Sequence, residues 1–237
     1  MKLATTCAVV GGALLAGAIA ASALPNARRA VRPAQAPQSR APQRIELAGQ
    51  LAAGKLRAVN RDVTALPGGG GGVHVSQKEG NGLVWIEGSD FLEGTLELDV
   101  RGRDVFQQSF VGLAFHRKDD STYDAVYLRP FNFRAEDPVR RDHAVHYIAP
   151  PDFDWPRLRK EFPEEFENPV DQSIVPTGWV PLRVVVKGRT IQVYVGPAAS
   201  PALEVRKLGA HDRGLVGLWT GNNSDGDFAN LRITPAK

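Results

Sequence analysis

Short segments of alternating polar and apolar residues, separated by turn signals, fill the chain from Ile45 onward and constrain its fold most strongly. The stretches GGVHVSQ, GLVWIEG and GTLELDVRG are divided by glycine-rich breaks, and turn signals recur roughly every eight to twelve residues, as in sandwiches. The clearest hairpin is WVPLRVVVKGRTIQVYVG, with strands at 182–186 and 191–195 about a turn at Lys187-Gly188. One short helix is expected in WPRLRKEFPEEFEN, where Pro163 limits its length. Because strands and helices do not alternate, the pattern predicts an all-β sandwich of two antiparallel sheets.

The first 43 residues do not follow this pattern. MKLATTCAVVGGALLAGAIAASALP has Lys2, an apolar run rich in Ala and Gly, and the small-residue triplet at 21–23. These features predict a signal peptide over residues 1–23, with an uncleaved membrane anchor as the alternative. Residues 24–43 are rich in Pro, Ala and Arg and predict a disordered linker. The folded domain is expected over residues 44–237, secreted or periplasmic and free of the membrane after cleavage.

The charge of the chain is concentrated in the predicted linker. The formal net charge is +3, and residues 24–43 contain four arginines and no acid. The folded part is therefore close to neutral, and it lacks the basic, aromatic-interleaved patch of a nucleic-acid-binding protein. The single cysteine, Cys7, lies in the predicted signal peptide, so an exported mature chain would fold without disulfides.

Several of the strand segments resemble a known superfamily. They are FLEGTLELDVRG, SFVGLAFH, YDAVYLRPFNF, WVPLRVVVKGRTIQVYV and GLVGLWTGNNSDGDFANLRIT. Together they resemble the concanavalin A-like lectin/glucanase superfamily, and within it most closely the 3-keto-disaccharide hydrolase domain family. The resemblance implies a jelly-roll β-sandwich that binds a carbohydrate or glycoside along its concave face. The superfamily includes hydrolases, lyases, lectins and adhesion modules, so the function stays open at this point.

The acidic residues do not match those of the endo-glucanases in the superfamily. Those enzymes resemble one another in a Glu-x-Asp-x-x-Glu strand, whereas here Glu97 and Asp99 are followed by Gly102 where the second Glu would stand. Glycoside hydrolysis normally uses two carboxyl groups, and no pair in this sequence has a diagnostic spacing. Three alternatives remain: a glycoside-cleaving enzyme, a non-catalytic glycan-binding module and a protein-interaction sandwich.

The keto-sugar chemistry implied by the resemblance would need a base and a cation to stabilise an enolate. The base could come from His116, His143 or His146, of which we assign His143. Arg129 and Arg134 are the candidate catalytic cations. If HAVHYIAP is one strand, His143 and His146 fall on opposite faces, and at most one of them lines the site.

The candidate substrate-binding residues surround the same loop. Alternation in YDAVYLRPFNF places Tyr127 and Arg129 on one face, where an aromatic ring and a guanidinium can contact a sugar. An exposed outer face with cross-strand aromatic pairs is the alternative. For the tryptophans, burial in the core is the default interpretation. The full set of candidate binding residues is Tyr127, Asn132, His116, Trp219 and Asn222.

No cofactor is predicted, and no metal site is assigned. The stretch GNNSDGDF offers oxygen ligands for a structural calcium ion, but it lacks the distal Glu of an EF-hand loop. The favoured interpretation is a turn rich in Asn and Asp with Gly226 at positive φ.

Overall fold

The computed structural model describes residues 41–236, which form two antiparallel sheets packed face to face. The predicted signal peptide and nearly all of the predicted linker lie outside the described residues. The strands, in chain order, are β1 (Gln43–Ile45), β2 (Leu56–Val59), β3 (Val63–Ala65), β4 (Val73–Val75), β5 (Gly82–Ile86), β6 (Gly94–Arg101), β7 (Val111–Arg117), β8 (Asp124–Leu128), β9 (Val145–Ile148), β10 (Glu167–Asn168), β11 (Val180–Lys187), β12 (Thr190–Val195), β13 (Leu203–Arg206), β14 (Leu215–Thr220) and β15 (Gly226–Pro235).

The two sheets have eight and seven strands. The eight-stranded sheet runs β13-β12-β11-β6-β15-β4-β3, with β1 paired to β15. The seven-stranded sheet runs β10-β9-β8-β7-β14-β5-β2. All the pairings are antiparallel, and hairpin-connected neighbours such as β11-β12 and β7-β8 alternate with neighbours that are distant in sequence, such as β6-β15 and β7-β14. The predicted all-β sandwich class is confirmed.

One hydrophobic core fills the space between the sheets. Leu96, Leu98 and Val100 of β6 are buried in it, while Glu97 and Asp99 point to the other face and stay half-exposed. This is the side-chain alternation of a half-buried strand. The core takes side chains from both sheets as a single cluster, so neither sheet has a core of its own.

Three short helices connect the strands: α1 (Leu47–Ala52), α2 (Pro138–Arg141) and α3 (Trp155–Glu161). Helix α3 is the predicted one; Asp154 caps its N-terminus and the helix ends before Pro163. Helices α1 and α2 were not predicted, because four to six residues are too few to show a helical period. Within residues 41–236, no helix is both long and apolar enough to cross a membrane.

The β11–β12 hairpin differs from its prediction by one residue at the turn. Lys187 pairs with Thr190, so the loop is Gly188-Arg189 and not Lys187-Gly188. Gly188 has a φ of 56°, a conformation that a glycine adopts at no steric cost.

The edge strands of both sheets are short. Among the described residues, β2 and β13 have four residues each, β1 and β3 have three, and β10 has two. The end of β10 is also joined to α3 by side-chain contacts described below.

Candidate functional site

Five residues form an in-register row across the seven-stranded sheet. Trp219 pairs with Gly112, Gly112 with Tyr127, Tyr127 with His146, and His146 with Glu167. Directly paired residues in neighbouring strands project to the same face. The row therefore lays two aromatic rings, a histidine and a carboxylate side by side on one face of the sheet.

A cavity of about 480 Å³ lies over this row. Its volume is within the range of small-molecule sites, about 300–1,000 Å³. Aromatic rings supply much of its wall, and arginine and amide side chains supply most of the polar part. The lining residues are Asn81, Phe106, Gln107, Phe110, Tyr127, Arg129, Phe131, Asn132, Arg140, His143, Ile148, Asp154, Trp155, Arg159, Trp219, Gly221 and Asn222.

The base of the cavity is a stacked pair of rings. Tyr127 and Trp219 lie two strands apart, yet their ring centroids are 4.6 Å apart and their planes differ by 26°. Gly112 of the strand between them makes this contact possible, because a Cβ there would lie 2.5 Å from the Cα and 2.8 Å from the Cβ of Tyr127. The two rings thus form a packed, nearly buried floor above a residue without a side chain.

The walls come from the segments that connect the strands. Phe131 follows β8 and packs edge to face on Phe106 and Phe110, with centroid distances of 5.7 and 5.4 Å. Trp155 opens α3 on another side of the cavity. Phe106 is 56% exposed and Trp155 is 45% exposed. Large apolar rings left exposed around a cavity are typical of binding sites.

Polar side chains fix the loop that bears these rings. Arg129 donates a hydrogen bond to the Tyr127 hydroxyl at 2.8 Å. The Asn132 side chain donates to the His143 carbonyl at 3.1 Å, and Arg140 donates to the Phe131 carbonyl at 3.0 Å. Because these bonds join the start and end of the loop, its polar groups are held in place before any ligand arrives.

A buried carboxylate, Glu167, lies at the end of the row. Arg159 of α3 donates two hydrogen bonds to it, each of 2.8 Å. The Nδ1 atoms of His143 and His146 lie 2.9 and 3.2 Å from its oxygens, although His143 is not aligned for a hydrogen bond. A carboxylate held by a guanidinium in this two-bond geometry forms a strong and directional pair.

Both histidines of this group have lowered pKa values. For His146, burial is the main cause, and the positive charges of Arg129 and Arg159 act in the same direction to bring the pKa well below 6.5. For His143, burial again lowers the pKa most, and the carboxylate of Glu167 opposes it. At neutral pH both imidazoles are therefore uncharged, and the His143 ring on the cavity wall is able to accept a proton.

The prediction that His143 and His146 lie on opposite faces of one strand is wrong, although only His143 of the two lines the cavity. Strand β9 begins at Val145, so His143 belongs to the preceding turn and the alternation does not extend to it. The turn brings its ring back toward β10, where both histidines contact Glu167.

Six of the eight candidate site residues line the cavity: Tyr127, Arg129, Asn132, His143, Trp219 and Asn222. The structure does not bring the other two there. Arg134 is exposed and donates to the carbonyls of Gln172 and Ser173, both at 2.8 Å. Arg134 therefore lies outside the cavity and does not fit the predicted role of a catalytic cation.

His116 is the second residue that lies elsewhere. It is 1% exposed, its Nδ1 lies 2.9 Å from Asp124 Oδ2, and its Nε2 lies 2.8 Å from the Leu92 carbonyl. Both ring nitrogens are engaged by the protein, so the ring has no nitrogen left for a sugar.

The sequence interpretation missed the segment from Asp154 to Glu167. Its residues Trp155 and Arg159 line the cavity, and Glu167 anchors the polar cluster. The default assignment of tryptophans to the core is wrong for Trp155 and for Trp179, which is 40% exposed. The sequence did contain one indication. Trp155 is the first residue after the N-cap of a short helix, and the first turn of such a helix usually lies at the protein surface.

The acidic turn at 221–228 is arranged around arginines. Asp225 lies 2.5 Å from Arg103, and Asp227 accepts from Arg101 at 2.6 Å. Positive φ occurs at Asn223, not at Gly226 as expected. Within the described residues, no group of three or more His, Cys, Asp or Glu side chains is arranged to hold a metal ion.

Comparisons with known proteins rest on structure alone. No protein-family model and no curated protein sequence matches the chain. The carbohydrate binding module CBM66 from Bacillus subtilis superimposes with a TM-score of 0.53 at 14% identity, over 75% of this chain and 94% of that one. A protein of unknown function with a galectin-like fold, also from Bacillus subtilis, gives a TM-score of 0.54 at 12% identity, over 83% and 97%.

A third solved structure, the Crh5 transglycosylase in complex with NAG, gives a TM-score of 0.52 at 10% identity, over 84% of this chain and 86% of that one. Identities this low establish a shared fold and nothing finer. The described domain accordingly has the fold of a galectin-like jelly-roll sandwich.

Proposed function

We propose that this domain binds a carbohydrate in the cavity over the cross-strand row. The observation that carries the proposal is the combination of stacked and exposed aromatic rings with fixed arginine and amide groups in one cavity. Pyranose rings present C–H faces that pack on aromatic rings and hydroxyls that bond to such polar groups. The structural neighbours support this proposal, because they include a carbohydrate binding module and a transglycosylase.

The carboxyl groups favour binding over glycoside hydrolysis. Among the described residues that line the cavity, Asp154 alone carries a carboxyl group, and its Oδ1 accepts a hydrogen bond from the Trp155 backbone at 2.7 Å. Glu167 is engaged by Arg159. Most glycoside hydrolases use two carboxyl groups, one of them protonated. This site does not offer that pair.

A second candidate function is cleavage of a keto-sugar glycoside of the 3-keto-disaccharide hydrolase type. His143 favours it, because an uncharged imidazole on the cavity wall can remove a proton next to a ketone. Arg129 lies on the same wall and could stabilise the enolate oxygen.

One experiment tests both candidates. The chain is screened against immobilised glycans and soluble glycosides, including 3-keto-glycosides, and both binding and product release are recorded. Substitution Trp155→Ala should weaken glycan binding about tenfold, or about 1.4 kcal/mol, because an exposed stacking ring is lost. Trp179→Ala is the matched control, since that ring is similarly exposed but lies outside the cavity.

The outcomes separate the candidates. Binding that survives in Trp155→Ala, or that falls equally in Trp179→Ala, would contradict the proposed site. Product release by the wild-type chain that disappears in His143→Gln would establish the second candidate over simple binding.

A further inference from the structure

The lining of the cavity carries more positive than negative charge. We propose that its ligand is an anionic glycan, whose carboxylate or sulfate group is received by Arg129 together with Arg140. This inference rests on the proposed function and adds the chemical class of the ligand. Three arginines line the cavity, namely Arg129, Arg140 and Arg159.

Two carboxylates oppose these three guanidinium groups. Glu167 takes both of its hydrogen bonds from Arg159, so those two charges balance each other. Asp154 is the other, and it caps the helix that begins at Trp155. With both histidines uncharged, one positive charge is left over on a partly enclosed wall, where water screens it less than at an open surface.

Arg129 is the residue with unmet bonding capacity. It is only 5% exposed, and its Nε has no hydrogen-bond partner among the described residues. Its Nη1 lies 3.5 Å from Glu167, a distance too long for a normal hydrogen bond. Its Nη2 donates to the Tyr127 hydroxyl, so the guanidinium is only partly satisfied by the protein. A ligand anion held in the cavity beside this side chain would add opposing charge.

Arg140 lies on the same cavity wall and is held in a fixed position. Its guanidinium lies over the Phe106 ring, 4.5 Å from the centroid, and its Nη2 donates to the Phe131 carbonyl. Its Nη1 donates to no residue in the part of the chain that the structure describes. A guanidinium fixed on an aromatic face retains a planar edge for an anion.

Guanidinium groups favour carboxylates and sulfates over hydroxyls. Two oxygens of such an anion can accept parallel hydrogen bonds and also neutralise the charge. A sugar hydroxyl accepts one bond and leaves the charge uncompensated. A uronate or a sulfated sugar therefore fits the wall of this cavity better than a neutral hexose, while its ring packs on the exposed ring of Trp155.

The test compares acidic oligosaccharides with neutral counterparts of identical linkage. Oligogalacturonate, oligoglucuronate and alginate oligomers are each paired with their carboxyl-reduced forms, and a sulfated galactan oligomer is paired with its desulfated form. Affinities for the full chain are measured by calorimetry at low and at raised salt. We expect at least one acidic member to bind at least tenfold more tightly than its neutral partner, with an advantage that shrinks as salt increases. A preference seen only in the uronate pairs would identify a carboxylate as the bound group, and one seen only in the galactan pair would identify a sulfate.

Variants assign the charge preference to residues. Arg129→Gln and Arg140→Gln should reduce the acidic-to-neutral ratio to less than threefold, whereas Arg134→Gln, an arginine outside the cavity, should leave it unchanged. If a variant does not fold, the acidic-to-neutral affinity ratio of the wild-type chain at low and raised salt still tests the inference. Equal affinity for acidic and neutral partners would overturn this inference and leave the proposed function standing. If no glycan bound at all, both would fall.

Discussion

His146 shows how a single buried residue links the site to the stability of the domain. Its ring packs on Tyr127 with a centroid distance of 5.3 Å, and its Nε2 has no hydrogen-bond partner among the described residues. Burial and two nearby guanidiniums keep it uncharged in the folded state. In the unfolded chain the same imidazole is free to take up a proton near its ordinary pKa of 6.5.

This difference predicts a loss of stability in acid. The pKa of His146 is lower in the folded state than in the unfolded state. Well above pH 6.5 the imidazole is uncharged in both states, so it adds no pH dependence to the stability. As the pH falls below 6.5 the unfolded chain binds a proton that the folded chain does not, and the free energy of unfolding decreases by up to about 1.4 kcal/mol per pH unit. Substitution His146→Gln should remove about 1–2 kcal/mol of the fall between pH 7 and pH 5.

Urea unfolding at a series of pH values measures this effect. His211→Gln serves as the control for the loss of a histidine that does not contact the Glu167 cluster. An unchanged acid slope in His146→Gln would show that the imidazole is not the proton acceptor of the unfolded state.

The element that closes one side of the site is the segment from α3 to β10. Helix α3 holds Trp155 at the cavity, and its Arg159 binds Glu167 of β10. The Glu167 side chain is 5% exposed, while that of Arg159 is 31% exposed. The same helix carries an exposed ion pair, Arg157–Glu161, with an N–O distance of 2.9 Å. The segment therefore offers a buried and an exposed carboxylate for direct comparison.

We expect Glu167→Gln to destabilise the domain by about 3 kcal/mol or more, because it removes the carboxylate that faces both the part-buried Arg159 and the buried Arg129. Glu161→Gln should cost about 0.5 kcal/mol or less, because its pair is solvated. Denaturant unfolding of the two variants measures both values. Similar costs for the two substitutions would contradict a structural role for the Glu167 cluster.

The elements also show where sequence reasoning works and where it stops. Alternation located the β6 strand and the β11–β12 hairpin, because each has one face in the core and one in solvent. It also located the Tyr127–Arg129 end of β8, which lines the cavity. Alternation failed at His143, because that residue belongs to a turn whose direction depends on distant contacts.

Glu167 was missed for a related reason. Glu167 pairs with His146 in the neighbouring strand and forms an ion pair with Arg159. Neither contact can be read from the local sequence. A two-residue strand carries no period of its own. The arginines on the cavity wall likewise become a group only when three separate segments meet.

At the scale of the whole molecule, the shared core couples the two sheets. Leu98 belongs to the eight-stranded sheet and is 2% exposed, whereas Trp85 and Trp219 are buried in the seven-stranded sheet. All three belong to the same hydrophobic cluster. A substitution that destabilises one sheet should therefore destabilise the other sheet as well.

Substitution Leu98→Ala should lower the free energy of unfolding by about 2–5 kcal/mol. The loss should appear at the same denaturant midpoint in tryptophan emission and in far-ultraviolet circular dichroism. Glu97→Ala, one residue away on the solvent face, should change stability by no more than about 0.5 kcal/mol. Separate midpoints for the two probes would indicate that the sheets unfold independently.

The short edge strands have a consequence for the behaviour of the domain in concentrated solution. An incoming chain can extend a sheet only along unpaired backbone groups, and each edge within residues 41–236 offers two to four residues for such a ladder. An edge of that length forms few intermolecular hydrogen bonds, and these have to offset the conformational entropy that the incoming strand loses. We therefore expect the short edges to disfavour fibril growth and strand exchange, even though nearly all of the regular structure is β.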